Sequence, residues 1–74
     1  MKHAEKSDLR HKTLFNLGKV YRRIGLLEQS VEKLKEATSN CPKGVEATTF
    51  NNLGLSYFEQ ENYEEALSNF NKAY

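Results

Sequence analysis

Apolar side chains recur along this chain at intervals of three and four residues, which is the spacing of one face of an α-helix. The first such series is Leu14, Leu17, Tyr21 and Ile24. Three further series follow, at residues 27, 31, 34 and 37, then at 50, 53 and 57, and then at 63, 66, 67, 70, 73 and 74. No stretch keeps the two-residue alternation of a β-strand. The pattern therefore predicts an all-α fold of four helices.

Turn-forming residues separate these four segments. Ser7 or Asp8 is placed to cap the first helix, and Gly25 interrupts the period before the second. Because a proline disfavours helical backbone at the residue before it, the second helix should end near residue 40, and Pro42-Lys43-Gly44 should form the turn between the two halves. The last turn falls at Glu61-Asn62, where asparagine tolerates the left-handed backbone conformation better than most residues.

The two halves are copies of one pattern. The hexapeptide NLGKVY at residues 16–21 returns as NLGLSY at residues 52–57, an offset of 36 residues. The agreement extends beyond the hexapeptides at the same offset and pairs Leu14 with Phe50, Ser30 with Ala66, Leu34 with Phe70, and Ala37 with Ala73. Agreement spread over more than twenty positions indicates an internal repeat.

Each copy places a glycine inside its first helix. Gly18 and Gly54 each cost about 1 kcal/mol relative to alanine at a helix-interior position. Because both copies accept this cost at the same position, we predict that a side chain there would clash with a neighbouring helix. Ser30 and Ala66, on the following helices, are the expected neighbours.

These residues resemble the tetratricopeptide repeat, whose pattern is an aromatic residue, Leu-Gly, Tyr, a small residue, Phe and Pro at fixed spacing. The residues that carry the resemblance are Leu17, Gly18 and Tyr21 in the first copy, and Leu53, Gly54, Tyr57, Ala66 and Phe70 in the second. The repeats cover about residues 11–44 and 47–74, with the turn from residue 45 assigned to the second and residues 1–10 forming a charged N-terminal segment or helix extension. The resemblance implies antiparallel helix-turn-helix repeats of an α-solenoid.

Two features depart from the family's pattern. The family's repeat is about 34 residues long, so this chain carries about two extra residues, which we assign to Val45-Glu46 in the turn or at the start of the third helix. Solenoids of this kind generally need about three repeats or more, with polar outer faces at the ends. The chain is therefore expected to be a piece of a longer array, or to cover its ends by self-association.

The resemblance implies a protein–protein interaction module, in which the first helix of each repeat lines a concave groove for an extended peptide of a partner. The corresponding positions here are Lys12, Asn16, Lys19, Arg23, Asn52, Leu55 and Phe58. Asn16 and Asn52 begin the two hexapeptides, and an amide side chain can pair with peptide backbone as donor and acceptor. The alternative for both is local hydrogen bonding on a wet surface. The alternative for the whole chain is a structural spacer or assembly segment without a groove ligand.

Charge is distributed unevenly along the chain. Residues 1–27 carry seven Lys or Arg and two acids, and residues 28–74 carry four Lys and eight Glu, so net charges of +5 and −4 combine to the chain's +1. A basic cluster on the first helix contains Lys12, Lys19, Arg22 and Arg23. It is either a solvated face or a surface for an acidic peptide that also carries apolar residues. No nucleic-acid partner is expected, since the chain as a whole lacks a basic footprint. The charge difference also permits head-to-tail stacking of copies.

No catalytic or metal-binding group is predicted. His3 and His11 have no cysteine or carboxylate at a recognised metal-ligand spacing, and a single cysteine, Cys41, can form neither an intrachain disulfide nor a multi-cysteine zinc site. No enzyme activity and no cofactor are therefore expected. The sequence contains no apolar run long enough to span a bilayer and no signal peptide, so no membrane partner is expected and the default location is intracellular and cytoplasmic.

Overall fold

The computed structural model describes residues 4–39 and 41–74, with side chains from Leu9 onward. These ranges contain four α-helices, α1 (Ala4–Arg23), α2 (Leu27–Ser39), α3 (Glu46–Glu59) and α4 (Tyr63–Ala73). They contain no strand, so the all-α prediction is confirmed. None of these four helices is both long and apolar enough to cross a membrane.

The first helix is longer than its apolar series indicates. It begins at Ala4, so Ser7 and Asp8 lie inside it, and the prediction that one of them caps its start is wrong. Alanine, glutamate and lysine at residues 4–6 are good helix formers, which carries α1 about one turn beyond those two polar residues. Residues 1–3, and with them His3, lie outside the described ranges. The second helix ends at Ser39, close to the end that Pro42 predicts.

The turns inside the two repeats share one backbone geometry. Gly25 and Glu61, 36 positions apart in the sequence, adopt positive φ angles of 90° and 65°. In both turns the amide of the following residue donates to the tyrosine carbonyl five positions back, at 2.8 Å, which is the hydrogen bond of a Schellman helix end. The Schellman hydrogen bond places the left-handed residue immediately before the residue whose amide donates, which is Gly25 in one turn and Glu61 in the other. The prediction that Asn62 adopts the left-handed conformation is therefore wrong, because Asn62 has a φ of −93°.

A second type of turn joins the repeats, from Cys41 to Val45. Gly44 has a φ of 98°, and its N–H donates to the Glu46 carboxylate at 2.9 Å. The backbone N–H groups of Glu46 and Gly44 hold the pKa of this carboxyl below its ordinary value. Of the two residues assigned as extra, Val45 lies in the turn and Glu46 is the first residue of α3.

The hydrophobic core joins the two repeats. α1 packs on α2, α2 on α3, and α3 on α4. Leu34 of α2 is fully buried in a cluster with Leu53, Tyr57 and Ala66 of the second repeat. Three half-buried residues, Phe15, Val31 and Phe70, pack against this cluster. Both repeats therefore contribute to one continuous core.

Several residues of the predicted apolar series are exposed instead. Leu17 on α1 is 38% exposed and Ile24, just after this helix, is 63% exposed, because nothing in the described ranges packs on the outer side of α1. Tyr63 and Leu67 on α4, and Tyr74 at its C-cap, follow the apolar period but are exposed for the same reason. The period thus identifies which helix faces are apolar, and the neighbouring helices determine which of them are covered.

The glycines of the two hexapeptides lie at close helix contacts, as predicted. A Cβ added to Gly18 would clash with Leu34, coming within 2.7 Å of its Cδ2 atom. A Cβ added to Gly54 would lie 2.6 Å from Phe70 Cε1 and 3.3 Å from the carbonyl oxygen of Ala66. Ser30 also contacts Gly18, because its hydroxyl donates to the glycine carbonyl at 2.7 Å. In each repeat, however, the atoms nearest to the added Cβ belong to a large side chain. This side chain is Leu34 or Phe70, one helical turn after Ser30 or Ala66.

The helices form two layers. α1 contacts α3, whereas α2 and α4 do not contact each other in the described structure. A hollow of about 500 Å³ separates α2 from α4, with Phe50, Leu53 and Tyr57 among the residues that line it. The α1–α3 layer is therefore the more closely spaced one, and we call the surface that it presents the inner face.

Candidate functional site

A hollow of about 370 Å³ lies on the inner face, where the middle of α1 approaches the start of α3. Its lining is His11, Lys12, Phe15, Asn16, Val45 and Thr48. Two of these, Lys12 and Asn16, belong to the predicted groove positions. Phe15 and Val45 make the hollow partly apolar, and the lysine and the amide add polar groups at its edge.

A second hollow of about 280 Å³ continues along α1 and is lined by Asn16, Lys19, Val20, Arg22 and Arg23. Asn16 lines both hollows, so the two are adjacent along the helix. The four predicted positions of α1 thus line two neighbouring hollows that share Asn16. We call these two hollows together the inner groove.

The inner groove is positively charged. Lys12, Lys19 and Arg23 are exposed, and none of them forms a salt bridge with a carboxylate of residues 9–39 or 41–74. The Lys19 ammonium lies 5.0 Å from the centre of the Phe15 ring, which is within the range of a cation–π contact. The aromatic ring therefore holds one of the cations beside the apolar hollow.

Arg22 links α1 to α3 across the inner face. Its Nη1 donates to Glu59 Oε2 at 3.3 Å, and its Nη2 donates to Asn52 Oδ1 at 3.4 Å. Its Nε is buried and has no hydrogen-bond partner within the described part of the chain. The sequence places Arg22 in the basic cluster of α1 and does not indicate this bridge. Its bridging role depends on residues 30 and 37 positions away, and local spacing carries no signal for that.

The two asparagines of the hexapeptides differ in their surroundings. Asn52 is half-buried; its oxygen accepts from Arg22, and its nitrogen donates to the Thr48 carbonyl at 2.9 Å. Asn16 is exposed and makes no side-chain hydrogen bond among the described residues. Of these two asparagines, only Asn16 has an amide that is free of hydrogen bonds to the described residues and so available to a ligand.

The remaining predicted groove positions on α3 line neither hollow. Leu55 is half-buried, and Phe58 is exposed. The Phe58 ring packs edge-on against Tyr63, with ring centres 5.4 Å apart. This part of α3 therefore presents an aromatic pair near the turn to α4, apart from the inner groove.

A polar cluster that the sequence analysis missed lies where the repeats meet. His11 Nε2 is 3.1 Å from Thr49 Oγ1, and Cys41 Sγ is 3.5 Å from both atoms. Thr49 Oγ1 also donates to the Val45 carbonyl at 2.8 Å. The sequence did contain a signal for His11, which precedes Leu14 by three residues and therefore lies on the buried side of α1.

This cluster offers only two metal-binding side chains, His11 and Cys41, whereas a structural zinc site requires about four. Among the described residues, no group of three or more His, Cys, Asp or Glu side chains could hold a metal ion. Thr49 is fully buried and His11 nearly so. The hydrogen bonds satisfy these buried polar groups at the junction, which is a structural role.

Two family models, each describing a tetratricopeptide repeat, match this chain, one over residues 11–43 and the other over residues 47–74. The first range contains most of α1 and all of α2, and the second contains nearly all of α3 and all of α4. No curated protein and no solved structure matches the chain significantly. The two matched repeats agree with the four-helix architecture and with the glycine contacts described above. The chain therefore belongs to the tetratricopeptide repeat family, whose repeats are generally non-enzymatic modules that bind other proteins.

Proposed function

We propose that the inner groove binds an extended segment of a partner protein, and that this segment combines acidic with apolar side chains. The observation that carries this proposal is that the two hollows lie next to each other along α1 and share Asn16. Together they line up Lys12, Asn16, Lys19 and Arg23 on one side of a helix, next to a partly apolar floor. A peptide lying along the helix could contact all four side chains at once.

The chemistry of the ligand follows from the lining. Phe15 and Val45 offer apolar contact in the first hollow, so a Leu, Ile or Phe side chain fits there. Lys19 and Arg23 offer cations in the second, so an Asp or Glu side chain fits there with charge-assisted hydrogen bonds. The order of the hollows then predicts that the apolar and the acidic residues of the ligand are neighbours in its sequence.

Asn16 is the residue best placed to hold the ligand's backbone. Its amide offers one acceptor and two donor hydrogens, and it lies where the two hollows meet. Asn52 can do the same only if Arg22 and the Thr48 carbonyl release it. Backbone recognition in this conformation therefore depends on one asparagine rather than two.

Selection from a displayed library of random peptides tests the proposal without a known partner. We expect the selected peptides to be enriched in Asp or Glu next to Leu, Ile or Phe. The double variant Lys19→Glu with Arg23→Glu should weaken a selected peptide by about tenfold or more, because it replaces attraction by repulsion. The affinity measured by fluorescence anisotropy should also fall with rising salt.

The matched control is Lys33→Glu with Lys35→Glu, which changes the net charge by the same amount on α2. It should bind the selected peptide within about twofold of the unaltered chain, apart from a small long-range electrostatic effect. Circular dichroism should show that both double variants keep their helical content. If the two double variants weaken binding equally, or if no peptide is enriched, the proposal is wrong, and a structural segment without a groove ligand becomes the better description.

A further inference from the structure

The two outer helices each present an uncovered apolar stripe. On the outer side of α1 and at the residue that follows the helix, the stripe contains Leu9, Leu17, Val20 and Ile24, all of them exposed, and we call it the leading face. Val20 lies at its edge and also lines the inner groove. On α4 and its C-cap residue the stripe contains Tyr63, Leu67 and Tyr74, and we call it the trailing face. Leu67 is 61% exposed and Tyr74 is 93% exposed. Contiguous exposed apolar side chains of this kind mark interaction surfaces.

The α2–α3 junction inside the chain shows what these faces fit. Adding 36 to a residue number of α2 gives the equivalent residue of α4, and subtracting 36 from one of α3 gives the equivalent residue of α1. Leu67 is thus equivalent to Val31, which packs half-buried against the core, and Leu17 is equivalent to Leu53, which is 3% exposed. The trailing face therefore repeats the surface that α3 covers, and the leading face repeats the surface that α2 covers.

We propose that the leading face of one copy of this chain binds the trailing face of a second copy, head to tail, with the geometry of the α2–α3 junction. α1 and α4 do not contact each other within a chain, so one copy cannot join its own two faces. The contact is heterologous: each copy uses a different surface from its partner.

The equivalent residue pairs are chemically matched at this proposed contact. Inside the chain, Ser30 and Ser56 share a hydrogen bond of 2.7 Å between α2 and α3. The equivalent residues between copies are Ala66, which is already buried within its own chain, and Val20, which is exposed. A buried polar pair inside the chain is thus replaced by an apolar pair between copies, and neither contact leaves an unpaired hydroxyl group.

The ion pair between Arg22 and Glu59 also has a matched equivalent between copies. Inside the chain, Arg22 binds Glu59 across the inner face. The equivalent residues between copies are Phe58 and Arg23, both of them exposed. An arginine against an aromatic ring is a favourable cation–π pair, so the ion pair is replaced by another attractive contact.

Charge complementarity acts over a longer range. Residues 1–27, which include α1, carry a net charge of +5, and residues 28–74, which include α4, carry −4. Head-to-tail stacking places the acidic half of one copy beside the basic half of the next. Contact between two leading faces would instead bring two basic helices together, so the charges favour the heterologous arrangement.

Sedimentation analysis of the chain from micromolar to millimolar concentration tests this proposal. We expect the average mass to rise from the monomer's 8.5 kDa as the concentration increases. Val20→Glu blocks the leading face and Leu67→Glu blocks the trailing face, and each variant alone should remain monomeric. Both residues are exposed, so circular dichroism should show an unchanged helical content.

The decisive sample is an equimolar mixture of the two variants. Each retains the face that the other has lost, so the mixture should form a species of twice the 8.5 kDa monomer mass and no larger one. Gln29→Glu, exposed on α2 and outside both faces, is the control and should assemble like the unaltered chain. Arg23→Ala should weaken assembly severalfold, whereas Lys35→Ala should not.

Three results would overturn the proposal. The first is an unaltered chain that stays monomeric at millimolar concentration. The second is a Val20→Glu or Leu67→Glu variant that still dimerises alone, because that indicates a symmetric contact through the remaining face. The third is a mixture that stays monomeric although both variants are folded.

Discussion

The two repeats share a sequence pattern, but equivalent residues differ in burial. Leu53 is 3% exposed in the second repeat, and its equivalent Leu17 is 38% exposed in the first. Tyr57 is buried, whereas Tyr21 is only half-buried. The cause is position in the stack: α3 packs on α2, while nothing in the described ranges packs on the outer side of α1. The pattern therefore encodes a surface suited to a neighbouring repeat, whether or not such a neighbour is present.

The largest expected effect tests this difference directly. Leu53→Ala should lower the free energy of unfolding by about 2–5 kcal/mol, because it opens a cavity in the shared core. Leu17→Ala should cost about 1 kcal/mol, since part of its side chain is already in water. Urea unfolding followed by circular dichroism measures both. Equal losses at low protein concentration would show that α1 is covered after all.

The two helix-interior glycines provide the second comparison. Gly18→Ala should cost about 1–3 kcal/mol, because the new methyl group meets Leu34, which is fully buried and has no room to move. Gly54→Ala should cost less, because its obstacle is Phe70, which is half-buried at the end of the stack and can turn outward. Thermal unfolding of the two variants gives the order. A larger loss at Gly54 would mean that the Ala66 carbonyl, not the ring, limits the space.

The serine pair at the repeat junction, Ser30 and Ser56, provides the third comparison. Ser30 donates to the Gly18 carbonyl, so Ser56 must be the donor in the bond between the two hydroxyls. Ser30→Ala should lower the free energy of unfolding by about 1–2 kcal/mol. The Gly18 carbonyl would lose a donor, and the Ser56 hydroxyl would lose its acceptor.

Ser56→Ala should cost less than Ser30→Ala, because Ser30 keeps its bond to Gly18. The double variant should be no worse than Ser30→Ala alone, since no hydroxyl is then left unpaired. A double-mutant cycle in urea measures this coupling, and strictly additive losses would contradict it.

The smallest expected effect compares the two left-handed turn residues. Glu61→Gly should stabilise the fold by up to about 1 kcal/mol, because glycine adopts a positive φ without steric cost. Gly25→Ala should lower the free energy of unfolding by about 1 kcal/mol, because alanine is strained at a positive φ. No further loss is expected, since no atom lies within 4 Å of the added Cβ. Melting temperatures should move in opposite directions. A shift in the same direction for both would contradict a shared turn geometry.

Sequence periodicity accounts for much of the fold. The spacing of apolar residues predicts four helices, and the repeated glycines predict close helix contacts, because both features are local and both occur twice. The end of α2 follows equally from Pro42. Residue preference alone favours Asn62 as the left-handed residue of the last turn, and this prediction is wrong because position in the turn decides it. Alignment with Gly25 identifies Glu61.

The contacts of the inner face were less predictable. The resemblance to the tetratricopeptide repeat, rather than helix spacing alone, singled out Lys12, Asn16 and Lys19, and these three residues line the two hollows beside α1. It did not predict that Arg22 would engage the Asn52 amide, nor that His11, Thr49 and Cys41 would meet. Those contacts depend on how one repeat is seated on the other, and small shifts in a helix crossing change them.

The burial of Leu34 between the two repeats has a consequence for unfolding. This side chain belongs to the first repeat, yet it lies in one cluster with Leu53, Tyr57 and Ala66 of the second. If the first repeat unfolded alone, it would leave the second with an open core. The interface contribution to stability is thus shared by both repeats, as in other linear arrays. The two repeats should therefore melt together as one cooperative unit rather than in sequence.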